Sequence, residues 1–456
     1  MGKKFFEKMA GAPAEVLEKT IDESKAIVHK IEEQKSIQSA KNYWKLLGPG
    51  LTTGAADDDP SGIATYSQSG AKYGFQLLWL APLTFPLMAI VQEMCARIGI
   101  VTGRGLAANI KTHFPRWLLY LCTSLLFVAN TLNIGADLGA MAAATKLLTP
   151  KIDFVILLIF FTVLTLVLQI FTTYEKYAHF LKWLAFILLS YVVTAFFIPN
   201  FDWSTLWKEA FHPSLSFSKE QIILICGIFG TTISPYLFFW QTSQEVEQEI
   251  EQGKTTIKLR QALTSDEEIR DMRLDVWSGM FLSNIVMLFI IAVTASTLHS
   301  SGILDIQTAE QAALALKPLA GDAAFLLFAV GIIGVGLLAV PVLAGSASYA
   351  LSESFGWKAG LHKKLRQAYA FYGVIILSVL IGLSINFLHL NPIKVLIYSA
   401  VANGLVAPVI IICIVMIANN SKIMGERVNH KVTKVLGWLI VALMSVVGLA
   451  AIYSMF

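Results

Sequence analysis

The sequence predicts an all-α membrane protein of about eleven transmembrane helices, and three observations predict it. Of its 456 residues, 55% are hydrophobic and only 14% charged, where an ordinary soluble domain is about a quarter charged. The apolar residues gather into runs of about 20, the length that crosses a bilayer as helix. Two of those runs, five spans apart, are interrupted at their middles by helix-breaking residues. This composition excludes a disordered chain, a disulfide-stapled secreted scaffold and a nucleic-acid-binding module. Cys95, Cys122, Cys226 and Cys413 each stand alone in an apolar stretch with no CxxC pair, which excludes a zinc ribbon and a redox pair. The net charge of +4 is small and names no partner.

Taken in chain order, residues 1–42 are rich in Lys and Glu and lack any long apolar run. They read as a water-exposed, partly helical extension without the apolar centre of a signal peptide. The transmembrane part is 43–456. Its spans are expected at 46–68, 75–100, 116–144, 153–172, 178–198, 221–243, 275–298, 323–348, 368–389, 393–418 and 435–455. The first five and the next five, about 46–198 and 221–418, read as two inverted repeats, and 435–455 is an extra helix. Lys and Arg crowd alternate connections, at Arg97–Arg116, Lys254–Arg273, Lys358–Arg366 and Lys422–Lys434. The other set holds only Lys72, Lys146, Lys151, Lys208, Lys219, Lys317 and Lys394. The bias places the N-terminus in the cytoplasm and the protein in the plasma (inner) membrane. The charged stretch 244–273 reads as a solvated cytoplasmic linker.

The first interrupted span reads LLGPGLTTGAADDDPSGIATYSQSG and the sixth ILICGIFGTTISPYLFFWQ. Pro60 lacks a backbone donor and disfavours helix at Asp59, and Gly62 loosens the same turn. Gly230, Thr231, Thr232, Ser234 and Pro235 do likewise in the sixth span. Unwound backbone at membrane depth is tolerated only where it is buried in protein or lines a cavity. Two such breaks in register mark a substrate site between two repeats; simple proline kinks are the other reading. Asp57, Asp58 and Asp59 give the site its sign. An ionised Asp at the bilayer centre costs several kcal/mol unless compensated, and a cation is the simplest compensation. At least one of the three caps the second half-helix or faces water instead. The run as an extramembrane turn between shorter helices is the alternative.

These strings resemble the natural resistance-associated macrophage protein (Nramp) family of divalent metal transporters, over about 46–455. GPGL with DPSG resembles the family's GPG…DPGN. QEMCARIGIVTGRGLA, GADLGA and SAVANGLVAP…SKIMGERVN resemble its motifs in spans two, three and ten onward. The resemblance implies a LeuT-type fold with broken helices 1 and 6, a transported divalent cation with no cofactor, and a lipid bilayer around it. It implies neither a nucleic-acid partner nor an enzyme, and no nucleotide loop or nucleophile–base pair argues otherwise. Carried over singly, the family's metal-binding Asp is Asp59, its Asn position is Gly62, its Met position is Ser234, and its carbonyl positions are Ala56 and Thr231.

The departures shape the expected chemistry. Without the amide and the thioether, the donors are oxygens: Asp59, Asp58, Ser234, the Thr231 and Thr232 hydroxyls, and carbonyls. Such ligands suit hard ions, Mg²⁺ among them, and Mg²⁺ keeps several waters. Gly62 and Ser234, both smaller than the family residues, are expected to enlarge the site for those waters. The pattern is closer to the Nramp-related magnesium transporters. The eight histidines fall in the arm, in loops or near span ends. The family's His after the span-six Pro is Tyr236, its span-three Glu is Ala140 and its span-ten Gln is Ala400. Asp137, Glu93 and Tyr236 remain as coupling or gating candidates, so proton coupling is expected to be weak or absent. Two other readings stay open: the usual Mn²⁺ or Fe²⁺ activity, and a carrier of a small organic solute using Tyr236 and Trp240.

Overall fold

A computed structural model describes residues 48–171, 188–388 and 390–456. Residues 1–42, part of the expected fifth span, and His29, His179 and His389 lie outside these residues. All regular structure among them is helical. From Pro49 onward the chain forms one compact unit.

Proline punctuates both interrupted spans. Helix α1 (Pro49–Asp57) stops where Pro60 forbids its continuation, and α2 (Pro60–Tyr73) starts on that proline with Asp59 as its N-cap. Two long helices follow after a short turn, α3 (Leu80–Thr102) and, beyond the small α4 (Leu106–His113), α5 (Arg116–Leu148). Next come α6 (Phe154–Phe171), α7 (Leu189–Phe197) and the surface helix α8 (Trp203–Phe211). The second interrupted span is α9 (Lys219–Thr232) and α10 (Pro235–Glu251), parted at Ile233 and Ser234. Then follow α11 (Ile257–Leu263), α12 (Asp266–Thr294), α13 (Ala324–Phe355), α14 (Tyr369–Ile385), α15 (Pro392–Ala418) and α16 (Lys431–Met455).

Among the described residues, nine helical stretches are long and apolar enough to cross a membrane. The first expected span is outside that number because its break leaves pieces of 9 and 14 residues. Part of the fifth lies outside the described residues. Helices α6 and α16 are apolar all round. Phe160, Val163, Val435, Leu439 and Val446 lie exposed on them, as befits faces turned to lipid.

Three contacts hold the breaks in the middle of the bundle. The first half-helix α1 lies on α12 with backbone against backbone: a Cβ at Gly54 would sit 2.3 Å from the Gly279 oxygen, and one at Gly279 2.3 Å from the Gly50 oxygen. Asp275 of α12 caps its N-terminus, accepting from Gly50 N at 2.6 Å and Leu51 N at 3.0 Å. On the other side α9 packs closely on α15, and α5 packs along α13.

The two ends of the bundle differ. Near the C-terminal ends of α3, α10 and α13 and the N-terminal end of α12, charged side chains knit the helices together. Arg273 donates to Glu93 at 3.0 Å, Lys254 bridges Glu249 and Glu268 at 3.3 and 2.7 Å, and His362 meets Glu247. At the opposite end a cavity of about 670 Å³ opens between α2, α5, α13 and α15. Its lining is mostly apolar, with Ile63, Ala140, Phe328 and Ile332 among it, and carries Lys146 and Glu310 as its charged residues. The cavity reaches inward to Pro60.

Candidate functional site

Asp59 sits fully buried between the two breaks and draws donors from three helices. Its Oδ1 accepts from Ser61 Oγ at 2.6 Å and from Gly62 N at 2.8 Å, the ordinary N-cap of α2. Its Oδ2 accepts from Asn133 Nδ2 of α5 at 2.8 Å, with the Tyr236 hydroxyl of α10 at 3.4 Å. Asn133 is itself fixed by Ser399 of α15, whose hydroxyl donates to its Oδ1 at 2.7 Å. The same cap recurs outside the spans at Asp202, which starts α8. There the Thr205 hydroxyl and amide and the Ser204 hydroxyl hold the carboxyl down to about 2. What Asp59 has and Asp202 lacks is burial and the long-range pair, Asn133 and Tyr236.

Both carbonyls implied as ion contacts accept hydroxyls of this chain. Tyr236 Oη donates to Ala56 O at 3.0 Å. Ser234 Oγ turns back along the chain and shares its proton between Gly230 O at 2.6 Å and Thr231 O at 2.7 Å. A helix that ends in mid-bundle leaves carbonyls without partners, and these hydroxyls supply them. The Ser234 hydroxyl, expected from the sequence to offer its oxygen to the ion, thus closes the end of α9.

The expected enlargement of the site is also corrected. A Cβ at Gly62 would meet Thr231 Oγ1 at 2.9 Å and the Tyr66 ring at 3.4 Å. The volume that an asparagine side chain would need is held by Thr231 and Tyr66. Asp59, Thr231 and Ser234 are all buried, so smaller residues at 62 and 234 have been met by closer packing and not by open space.

The remaining acidic candidates separate. Asp57 and Asp58 turn toward α12, where Ser283 Oγ lies 2.6 Å from Asp57 Oδ2 and 3.2 Å from Asp58 Oδ1. Asp58 thus does not share Asp59's donors. Asp137, one turn beyond Asn133 on α5, is fully buried with neither carboxylate oxygen hydrogen-bonded. Glu93 is engaged by Arg273 at 3.0 Å and by Trp277 Nε1 at 2.9 Å, at the charged end of the bundle. Trp240 packs on Gly345 and faces the Tyr349 ring at 6.4 Å, so it forms no aromatic box at Asp59. Among the described residues, no three His, Cys, Asp or Glu side chains converge on one point.

The chain matches the family described as "Natural resistance-associated macrophage protein-like" over residues 50–454. It belongs to the Nramp family. Among its curated Nramp relatives are two proteins named divalent metal cation transporter MntH. The one from Klebsiella pneumoniae subsp. pneumoniae is 26% identical over 420 residues, covering 91% of this chain and 95% of the relative. The one from Pectobacterium carotovorum subsp. carotovorum is 28% identical, covering 90% and 94%. A solved manganese transporter from Eremococcus coleocola, in complex with an aromatic bis-isothiourea substituted compound, superposes with a TM-score of 0.69. It is 19% identical and the match covers 90% of this chain and 86% of that one. Mhp1, a nucleobase-cation-symport-1 family transporter, shares the fold at a TM-score of 0.53 and 15% identity, covering 89% and 90%. The LeuT-type architecture with helices 1 and 6 broken, implied by the Nramp resemblance, is borne out.

Within this Nramp chain the residues that sequence reasoning missed are Asn133, Ser399, Ser61, Ser283 and Asp275. One signal was readable. Asn133 and Asp137 are four residues apart in an otherwise apolar span, so they share a helix face.

Proposed function

We propose that the chain is a secondary transporter that moves a divalent metal cation across the membrane by alternating access, with Asp59 meeting the ion. One observation carries the reading: a fully buried carboxylate lies where two half-helices end, 3.4 Å from a hydroxyl that also holds the Ala56 carbonyl. A cation relieves the cost of such a charge at membrane depth. The Ala56 carbonyl joins its shell once the Tyr236 hydroxyl lets go, and the Thr231 carbonyl adds its second lone pair while still accepting from Ser234. Gly62 allows the first turn of α2 to lie against Thr231, and Asp58 adds negative charge from the α12 side. The names of the relatives agree with a divalent metal substrate.

Donor chemistry favours a hard, hydrated ion such as Mg²⁺ over Mn²⁺ or Fe²⁺. The side chains and carbonyls gathered around Asp59 offer oxygen and no sulfur or imidazole. Proton coupling is weak or absent in this reading. A relay needs titratable groups within hydrogen-bond reach; Asp137 has no hydrogen-bond partner and Glu93 is engaged by Arg273. The distribution of Lys and Arg supports a cytoplasmic N-terminus in the inner membrane, with the apolar cavity then on the outer side. That cavity favours a second reading, a small organic solute: its walls suit an apolar body better than a bare ion.

Influx into proteoliposomes of Mg²⁺ and of Mn²⁺, with Asp59→Ala as control, tests the reading. Mg²⁺ influx that falls by about two orders of magnitude or more in the variant is the expected result, since the ion loses its one carboxylate at membrane depth. Influx of Mn²⁺ alone would remove the preference for a hard ion. No Asp59-dependent flux of either would sink the metal reading and bring the organic solute forward. An imposed proton gradient should leave the rate unchanged.

A further inference from the structure

We infer that the Tyr236 hydroxyl is a built-in competitor of the transported ion, occupying the ion's place between Ala56 and Asp59 and setting its affinity. The inference rests on the reading of Asp59 as the cation's carboxylate. Tyr236 is the second residue of α10, directly after Pro235, and is fully buried. Its hydroxyl oxygen lies 3.0 Å from Ala56 O and 3.4 Å from Asp59 Oδ2. A hard divalent cation sits about 2.0–2.6 Å from each of its oxygen ligands. An ion that bridged the same two atoms would need the space the hydroxyl and its proton hold. One O–H group thus does for the ion-free protein part of what the cation does for the loaded one. It satisfies a carbonyl stranded by the end of α1 and offers positive hydrogen to a buried carboxylate.

The hydroxyl cannot simply swing aside. The ring is buried, and the backbone carbonyl of Tyr236 accepts from Ser346 Oγ of α13 at 2.8 Å. Its withdrawal requires the start of α10 to shift. Ion entry and displacement of α10 are then one event, and the link needs no titrating side chain. This differs from Ser234, whose hydroxyl serves Thr231 within its own stretch of chain and stays with α9 when α10 moves.

The substitution Tyr236→Phe keeps the ring and removes the competing donor. Equilibrium binding of Mn²⁺ and Mg²⁺ to the purified full chain, with Asp59→Ala as the site control, reads the effect. Binding in Tyr236→Phe should be on the order of ten-fold tighter, as expected when the ion-free state loses one net hydrogen bond. The melting temperature of the metal-free variant should fall and its rise on adding metal should exceed that of the unmodified chain. Weaker binding would show that the hydroxyl oxygen is a ligand, and unchanged binding would show a packing role; either overturns the inference while leaving the transport reading intact. Absence of Asp59-dependent binding in the unmodified chain would overturn both. If Tyr236→Phe does not fold, Tyr236→Leu answers the same question, since it also lacks the donor.

Discussion

At the first break Asp59 takes its partners from α2, α5 and α10; at the second, Ser234 takes its own from the preceding turn of α9. Both breaks are made by a proline that opens a helix. At Asp57–Pro60 the loosened groups are satisfied by the local cap at Ser61 and Gly62 and also across the bundle, by residues 74 to 226 positions away in sequence. At Thr232–Pro235 they are satisfied within three or four residues. A network drawn from several helices changes whenever those helices move, whereas a local one travels with its own chain. The first break is therefore the one whose bonds change when helices move, and under the proposed function the one where ion and conformation exchange free energy; the second keeps its own bonds while it carries Tyr236.

Substitutions sharpen that contrast in descending order of effect. Asp275→Ala should weigh most on stability, because it leaves the buried Gly50 and Leu51 amides without their acceptor. Each orphaned amide costs about 1–3 kcal/mol, and Asp275→Asn, which retains one acceptor oxygen, should recover part of the loss in a thermal melt. Gly62→Asn restores the side chain of the family pattern but drives it into Thr231. Overpacking of this kind costs about 1–3 kcal/mol, and the double variant with Thr231→Ala should be the more stable of the two; additive losses would mean that Thr231 is not the obstacle. Ser234→Ala should cost least, about 1 kcal/mol for one local hydrogen bond, with ion binding little changed. A loss of binding as large as that of Asp59→Ala would break the contrast, making Ser234 a ligand and the two breaks equals.

The breaks themselves were legible in the sequence because proline, glycine and a run of carboxylates inside apolar spans leave few alternatives at membrane depth. So was the capping role of one aspartate, since Asp before Pro-Ser-Gly is an N-cap pattern. That the cap is Asp59, the same residue we propose meets the ion, was not. The positions of Asn133, of Asp275 and of the Tyr236 hydroxyl depend on which helices meet in space, and their contacts join residues from opposite halves of the chain or from separate spans. The direction of the Ser234 hydroxyl escaped for a different reason: a serine beside an unwound turn can serve its own backbone or a ligand, and only geometry decides. The supposed gain in volume failed because deletion of a side chain predicts space only if the neighbours stay where they were, and Thr231 and Tyr66 fill it.

The glycine contact between α1 and α12 has a mechanical side. Where Gly50 and Gly54 meet Gly279, main chain rests on main chain, with no side chain between them to flip or slide. Such a joint passes displacement on and does not absorb it. The first half-helix and α12 form a two-rod beam, stiffened at one end by Asp275, and α12 carries on past the break to rest on α2 at Gly70, so one rod splints both halves of the interrupted span.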